Sequence, residues 1–362
     1  ANVKGRDEIL ALLLSLASLY YVFRYLRSKK YLDLGLALVT FFLGILAKET
    51  TLAFLGVIPL ALLLFTRIPQ KRYVQILAPL TGVVVLYLLI SLDVVGYQFT
   101  DKELTGTFPH PLTHDYYPYH IPIMSWGDPA VLISLVANLA LIGLAIWQWK
   151  QNRLLTFSIG FYYLTLVLTS NLLFPVGTFM NERFLFFPTV GVCLVLAWFF
   201  LRWLPEKLGG STMQTVGLAV IGVMTIGFSV KTFTRVPAWE NEMTLNAAAI
   251  EVSVNSARAN QYYAYSLYEV YKDNSATARA NGEPVDKTVQ RDLLDQALPH
   301  VTTALTIHPA YPAALKCKGG IMAGYVERGA DMKFVLDEFY QVATAPAQVP
   351  FNDAFLQYAN RM

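Results

Sequence analysis

Apolar runs long enough to cross roughly 30 Å of hydrocarbon succeed one another through most of this chain, near residues 8–25, 33–48, 50–67, 73–92, 129–148, 154–174, 184–204 and 213–233. Backbone amides inside lipid must bond within their own segment, so such runs are expected to be helices. The expected fold class is therefore all-α: a polytopic membrane bundle of about eight spans over residues 1–235, then a soluble helical region over 236–362. Only Lys48-Glu49-Thr50 separates the second run from the third, which leaves room for one broken or re-entrant helix. Composition agrees, with 55% hydrophobic residues, 15% charged and a mean hydropathy of +0.44, outside the balance of a soluble domain.

Charge alternates from loop to loop. Arg24, Arg27, Lys29 and Lys30 fill the first, Arg67, Lys71 and Arg72 the third, Lys150 and Arg153 the fifth, and Arg202 and Lys207 the seventh. The positive-inside rule makes these loops cytoplasmic. The N-terminal segment, the Lys-Glu-Thr turn, residues 94–128, the FPVGTFMNERF loop and everything after Thr234 then share the opposite, extracytoplasmic face. A net charge of +3, with the cations in short loops, excludes a nucleic-acid footprint. Two cysteines, one of them in an apolar run, give no disulfide framework. The opening ANVKGRDEIL has no initiator Met, basic n-region or cleavage pattern, so neither a signal peptide nor a natural start is expected there, and further sequence is expected upstream.

Beyond Trp239 the chain turns polar. NSARANQYYAYSLYEV from Asn255 and HPAYPAALKCKGGIMAGYVERG from His308 share a pattern, with DLLDQALPHVTTALTIHP leading into the second. Small residues at helix contacts and a Pro after Ile307 are similar to tetratricopeptide (TPR) repeats. KDNSATARANGEPVDKTVQ is expected to interrupt the first repeat as a polar insert, and VPFNDAFLQYANRM to begin a third. A concave groove for a polypeptide and a helical cap on the membrane domain are both open readings.

Several polar residues stand where chemistry is possible. Lys48 and Glu49 lie at the edge of two apolar runs, where a charge pair must be solvated or paired; the plain reading is an interfacial turn with a snorkelling Lys. Arg183, beside Glu182 and Asn181 between two spans, suits a phosphate, because a guanidinium fork binds its oxygens in pairs. An ion pair between Glu182 and Arg183 is the alternative. Arg6 joins the anion-binding candidates, while Asp7 and Glu8 read as helix caps. FPHPLTHDYYPYHIP, residues 108–122, holds His110, His114 and His120 with Asp115, donors enough for zinc. Its four prolines oppose the helix or tight turn on which metal signatures pair their histidines, so a metal ion is the lesser reading and no cofactor is expected. Tyr116, Tyr117 and Tyr119 would sit at headgroup level, and Asp115 would meet a sugar or phosphate or merely form a turn. No nucleophile elbow, P-loop, dinucleotide fingerprint or HExxH is present.

Taken in order, GRDEIL, LGILAKET, the PLTHDYYPYHIP segment, FPVGTFMNERFLFFPTVG and the TPR-like tail resemble the transmembrane and TPR-containing (TMTC) O-mannosyltransferases and their bacterial relatives, within the GT-C superfamily. Thr113 replaces the usual Ser and His120 a polar residue. The resemblance implies transfer of a sugar, typically mannose, from a polyprenyl or dolichyl phosphate to Ser or Thr of a polypeptide on the extracytoplasmic side. It implies Arg183, Lys48 and Arg6 as phosphate holders, Glu49, Asp115 and Glu182 as catalytic candidates, and His110, His114, Tyr116, Tyr117 and His120 as a wall beside the donor. The family's key acidic residue lies in its first extracytoplasmic loop, whereas the similarity begins at what looks like the second, so that residue has no counterpart here. The expected partners are the lipid-linked donor, a polypeptide acceptor and membrane lipids, in a bacterial inner membrane rather than the endoplasmic reticulum. The alternative function is a non-catalytic TPR scaffold of an envelope complex.

Overall fold

The structure, a computed structural model, describes residues 6–95, 125–170, 182–282 and 284–344. Among them every regular element is helical, and they form two compact units, one up to residue 231 and one from 232 onward. The first unit contains α1 (Arg6–Ser28), α2 (Tyr31–Ala47), a 3-10 turn (Glu49–Ala53), α3 (Phe54–Phe65), α4 (Gln70–Val95), α5 (Pro129–Trp147), α6 (Arg153–Val167), a second 3-10 turn (Glu182–Leu185), α7 (Phe186–Trp198), a π-helical segment (Phe199–Trp203), α8 (Leu204–Leu208) and α9 (Gly210–Arg235).

The eight expected runs all appear as apolar helix. Five are long and apolar enough to cross a membrane: Arg6–Ser28, Gln70–Ile90, Pro129–Trp147, Arg183–Leu208 and Gly210–Trp239. Tyr31–Ala47, Glu49–Phe65 and Arg153–Val167 are shorter than that length. The sixth run reaches residue 174 in the sequence reading, but its helix ends at Val167.

Small side chains set the first helix pair. Ala11, Ser15, Ser18 and Val22 recur at steps of four, three and four on α1, and all are buried, the spacing of one helix face. Against them lie Ala37, Phe41 and Gly44 of α2. The serines spend their hydroxyls on backbone carbonyls, Ser15 donating to Ala11 at 2.7 Å and Ser18 to Ala37 across the interface at 2.9 Å, so neither is left unpaired in an apolar setting.

Lys48 ends α2 in an extended conformation (φ −164°, ψ 139°), its N–H donating to Gly44 O at 2.9 Å. The chain then reverses. Arg72 at the start of α4 donates to the Tyr25 hydroxyl near the end of α1 at 3.3 Å, so α3 has returned to the end where α1 and α2 are joined. The Lys-Glu-Thr corner is thus a reversal between two helices, and no single helix is broken there. Its 3-10 turn fits against α2 because Gly44 lacks a side chain: a Cβ there would lie 3.0 Å from the Thr51 methyl. Phe54 opens α3 and packs edge-on against Phe161 of α6 at 5.7 Å and Phe187 of α7 at 6.3 Å.

The second unit contains a 3-10 turn (Val236–Trp239), α10 (Glu242–Ile250), α11 (Ala257–Asn281), α12 (Lys287–Ile307), α13 (Pro312–Glu327) and α14 (Met332–Thr344). Its helix starts are written in the sequence. Asn241 and Thr244 form a capping box on α10, Ser256 accepts from Ala259 N, and Asp286 accepts from Thr288 N and Val289 N. Gly282 stops α11 at φ 69°, in the left-handed region. The expected polar insert is a correction: α11 runs on to Asn281 and α12 begins at Lys287, so most of Lys272–Gln290 is helix. Ser275 holds the extension in place by donating to Gln290 at 3.0 Å and accepting from Arg328 at 2.9 Å.

Leu267 and Tyr271 of α11, Leu294, Ala297, Val301 and Ala304 of α12, and Ala314, Cys317, Ile321 and Tyr325 of α13 make the core of this unit. Helix α11 packs on α10, α12 and α13, and α14 packs on α13. The expected third repeat at VPFNDAFLQYANRM lies outside the described residues.

Candidate functional site

One end of the first unit gathers the charged residues of loops far apart in sequence. Arg6, Asp7 and Glu8 open α1; Lys48 and Glu49 form the corner after α2. Antiparallel packing of α1 and α2 brings the two segments together, with the Lys48 ammonium 3.0 Å from an Asp7 carboxylate oxygen and also bonded to Glu8. Glu8 is nearly enclosed, its side chain 8% exposed, whereas that of Asp7 is 45% exposed. Lys48 therefore ties a buried carboxylate and a solvent-facing one into a single cluster. Lys48 thus meets two carboxylates, and Glu49, exposed, follows it in the chain.

A layer of hydroxyls lies next to the charges. The Thr51 hydroxyl lies within hydrogen-bond distance of Ser15 Oγ, at 3.2 Å, where it can donate, and among the described residues the buried Thr50 hydroxyl oxygen has no hydrogen-bond partner. An orphan of that kind costs free energy unless another group satisfies it.

Arg183 stands at the same end. It precedes α7 by one turn, and Phe187 of α7 packs against Phe54 at the start of α3, which directly follows the Lys48 corner. Arg183 is exposed, with its guanidinium carbon 5.6 Å from the centre of the Phe184 ring. Glu182 begins the turn Glu182–Leu185; the expected pairing with Arg183 involves a carboxylate outside the described side chains.

Of the residues singled out by sequence, the structure brings Lys48, Glu49, Arg6 and Arg183 to one end. Asp7 and Glu8, read as helix caps, were missed as Lys48's partners. A signal for them exists: they and Lys48 lie about equally far on either side of the turn at residues 29 and 30. His110, His114, Asp115, Tyr116, Tyr117 and His120 lie outside the described residues. Among the described residues no group of three His, Cys, Asp or Glu is placed to hold a metal ion.

In the second unit, α11 presents Tyr262 and Tyr265, each roughly two-fifths exposed. Tyr265 hydrogen-bonds Glu269, which holds its hydroxyl pKa up at about 12. Glu269 in turn pairs with Lys272 at 2.6 Å, and those bonds hold its carboxyl below the usual range.

The apolar helices and the charged end define a polytopic helical protein of membrane type. Within that class, the resemblance to the TMTC-like protein O-mannosyl-transferases holds. The chain is 24% identical over 309 residues to the protein O-mannosyl-transferase F38B6.6 of Caenorhabditis elegans, covering 77% of this chain and 42% of that protein. It is 28% identical over 116 residues to Tmtc3 of Drosophila melanogaster, 32% of this chain and 12% of that protein. To human TMTC3 it is 34% identical over 90 residues, 25% of this chain and 9% of that protein. The chain spans less than half the length of these curated relatives. No protein-family model and no solved structure matches it.

Proposed function

We propose that this chain is part of a GT-C-type membrane glycosyltransferase. It moves a sugar, mannose by the names of its relatives, from a polyprenyl-phosphate carrier to Ser or Thr hydroxyls of a polypeptide. The observation that carries this reading is the Lys48–Asp7–Glu8 cluster at the end of the helices where Arg6 and Arg183 also lie, in a chain whose similarity to an O-mannosyl-transferase runs over 77% of its length. Residues 1–235 form the membrane domain in this reading. Residues 236–362 form an extracytoplasmic TPR-like domain in a bacterial inner membrane; the packing of α11 on both α12 and α13 supports a repeat of paired helices.

The chemistry assigns each group a task. The acceptor hydroxyl oxygen bonds to the sugar's anomeric carbon, the bond from that carbon to the phosphate oxygen breaks, and the lipid phosphate leaves with the electron pair. Fixed cations favour that departure, and Arg183 and Arg6 are exposed cations at this end among the described residues. Lys48 is already matched by two carboxylates, so its part is to orient them. The hydroxyl proton goes to a carboxylate, for which Asp7 is the more open of the pair. The unpartnered Thr50 hydroxyl would bond a donor oxygen.

The test incubates full-length protein with radiolabelled polyprenyl-phosphate mannose and total envelope polypeptides, and looks for label on protein. Transfer that vanishes in Arg183→Ala together with donor binding supports the reading. Donor binding without transfer, across several sugars, moves the protein to a scaffold role.

A further inference from the structure

We propose that the end of the first unit opposite the Lys48 corner is a docking site for anionic phospholipid headgroups, built jointly by the α1–α2 and α3–α4 turns. This goes beyond the transferase reading and does not depend on it. The two turns are adjacent because Arg72 bonds the Tyr25 hydroxyl at 3.3 Å and lies over its ring at 5.9 Å. Internal partners account for two of the cations there. Arg24 pairs with the buried Asp33 at 3.1 Å, which the Ser28 hydroxyl also bonds, and Arg72 is spent on Tyr25. Arg27, Lys29, Lys30, Arg67 and Lys71 are exposed, and among the described residues no carboxylate pairs with any of them. Among the described residues the lone acid of the patch is already paired, so five exposed cations face outward.

Two further features direct this charge at a bilayer. Lys29 holds φ 59°, a left-handed conformation in which glycine is the ordinary residue; a lysine there turns the chain sharply and leaves two adjacent ammonium groups outside it. Immediately beside them Tyr31 is 74% exposed and Leu32 70%. An aromatic and an aliphatic side chain open to the outside, next to unpaired cations, match the boundary between headgroups and acyl chains. A free phosphate would use the cations alone.

The experiment measures lipid retained by the purified full chain, by native mass spectrometry, with phosphatidylglycerol, phosphatidylcholine or inorganic phosphate added. Phosphatidylglycerol should be held in at least tenfold preference to phosphatidylcholine, and inorganic phosphate should not displace it. Each cation near an anionic surface strengthens binding roughly fivefold. Arg27→Gln/Lys29→Gln/Lys30→Gln should therefore weaken retention on the order of a hundredfold and Arg67→Gln/Lys71→Gln about twenty-fivefold, while Lys150→Gln/Arg153→Gln changes little. Equal retention of the two lipids by the unaltered chain overturns the proposal, and that comparison needs no variant to fold. So does displacement by inorganic phosphate, wild-type retention in the triple variant, or an equal loss in the Lys150/Arg153 control.

Discussion

The Lys48 ammonium lies 3.0 Å from the Asp7 carboxylate across 41 positions of sequence, with Glu8 as its second partner. This link closes the α1–α2 hairpin at its open end, as the turn at residues 29 and 30 closes the other. It also decides what Lys48 offers a ligand. A phosphate approaching it meets two carboxylates first, whereas the Arg183 and Arg6 side chains at the same end are exposed.

Removing one partner of an enclosed ion pair costs more than the pair contributes, because the other charge stays buried alone. Lys48→Met should therefore destabilise the first unit by about 3 kcal/mol, and Glu8→Gln by less, since an amide still accepts a bond from the ammonium. In a double-mutant cycle read by thermal unfolding in detergent, the two positions should couple by about 1 kcal/mol or more. Additive losses would show that the contact does not hold the corner.

The helices were legible because a membrane-length apolar run has only one way to satisfy its backbone. Caps in the second unit were not singled out from sequence, although Asn241, Ser256, Asp286 and Gly282 act within a turn of themselves and so are carried by local residues. The Lys48 cluster was half legible. Sequence marked Lys48 and Arg183 as unusual but took Asp7 and Glu8 for local caps, since a contact between helices depends on how the hairpin registers. Residues 272–281 were misread as an insert because their polarity was weighed without Ser275, which holds the helix through Gln290 and Arg328.

Glycines in the first unit divide into those that matter and those that do not. A Cβ on Gly191 would lie 2.5 Å from the Ser158 carbonyl oxygen and 3.0 Å from Tyr162 N, while one on Gly222 would meet nothing within 4 Å. Gly191→Ala must push α6 and α7 apart and should cost about 1–3 kcal/mol. Gly222→Ala should be neutral or stabilise by up to about 1 kcal/mol. Equal unfolding midpoints for the two variants would refute the close approach.

In the second unit Lys318 is the buried charge to test. Its ammonium pairs with Glu338 at 2.7 Å, the two side chains 4% and 19% exposed, and this pair joins α13 to α14. Glu338→Gln should loosen α14 and cost about 3 kcal/mol, while Lys318→Met/Glu338→Leu should recover most of that loss. Hydrogen exchange over residues 332–344 reads the effect: fast exchange in the single variant and slow in the double is the expected result, and slow exchange in both would show that apolar packing alone holds the helix.

Cys317 supplies a prediction in pH. Burial, reinforced by the Glu269 charge, pushes its thiol from 9.0 up to about 12, so at pH 8 its thiolate is roughly a thousandfold scarcer than that of an open cysteine. Iodoacetamide should leave Cys317 unmodified in the folded chain and label it once denaturant is added. The stability consequence has a definite sign. The raised pKa means the folded state keeps a proton that the unfolded state releases, so no stability is lost below pH 9, and it falls as pH rises from 9 towards 12. Tyr271 and Tyr325 are raised by burial in the same core and steepen the fall in the same direction. Unfolding of the second unit followed from pH 8 to 11 should show a midpoint that drops progressively above pH 9, and Cys317→Ala should make that drop shallower; a midpoint flat to pH 11 would mean the thiol is reached by solvent in the folded protein.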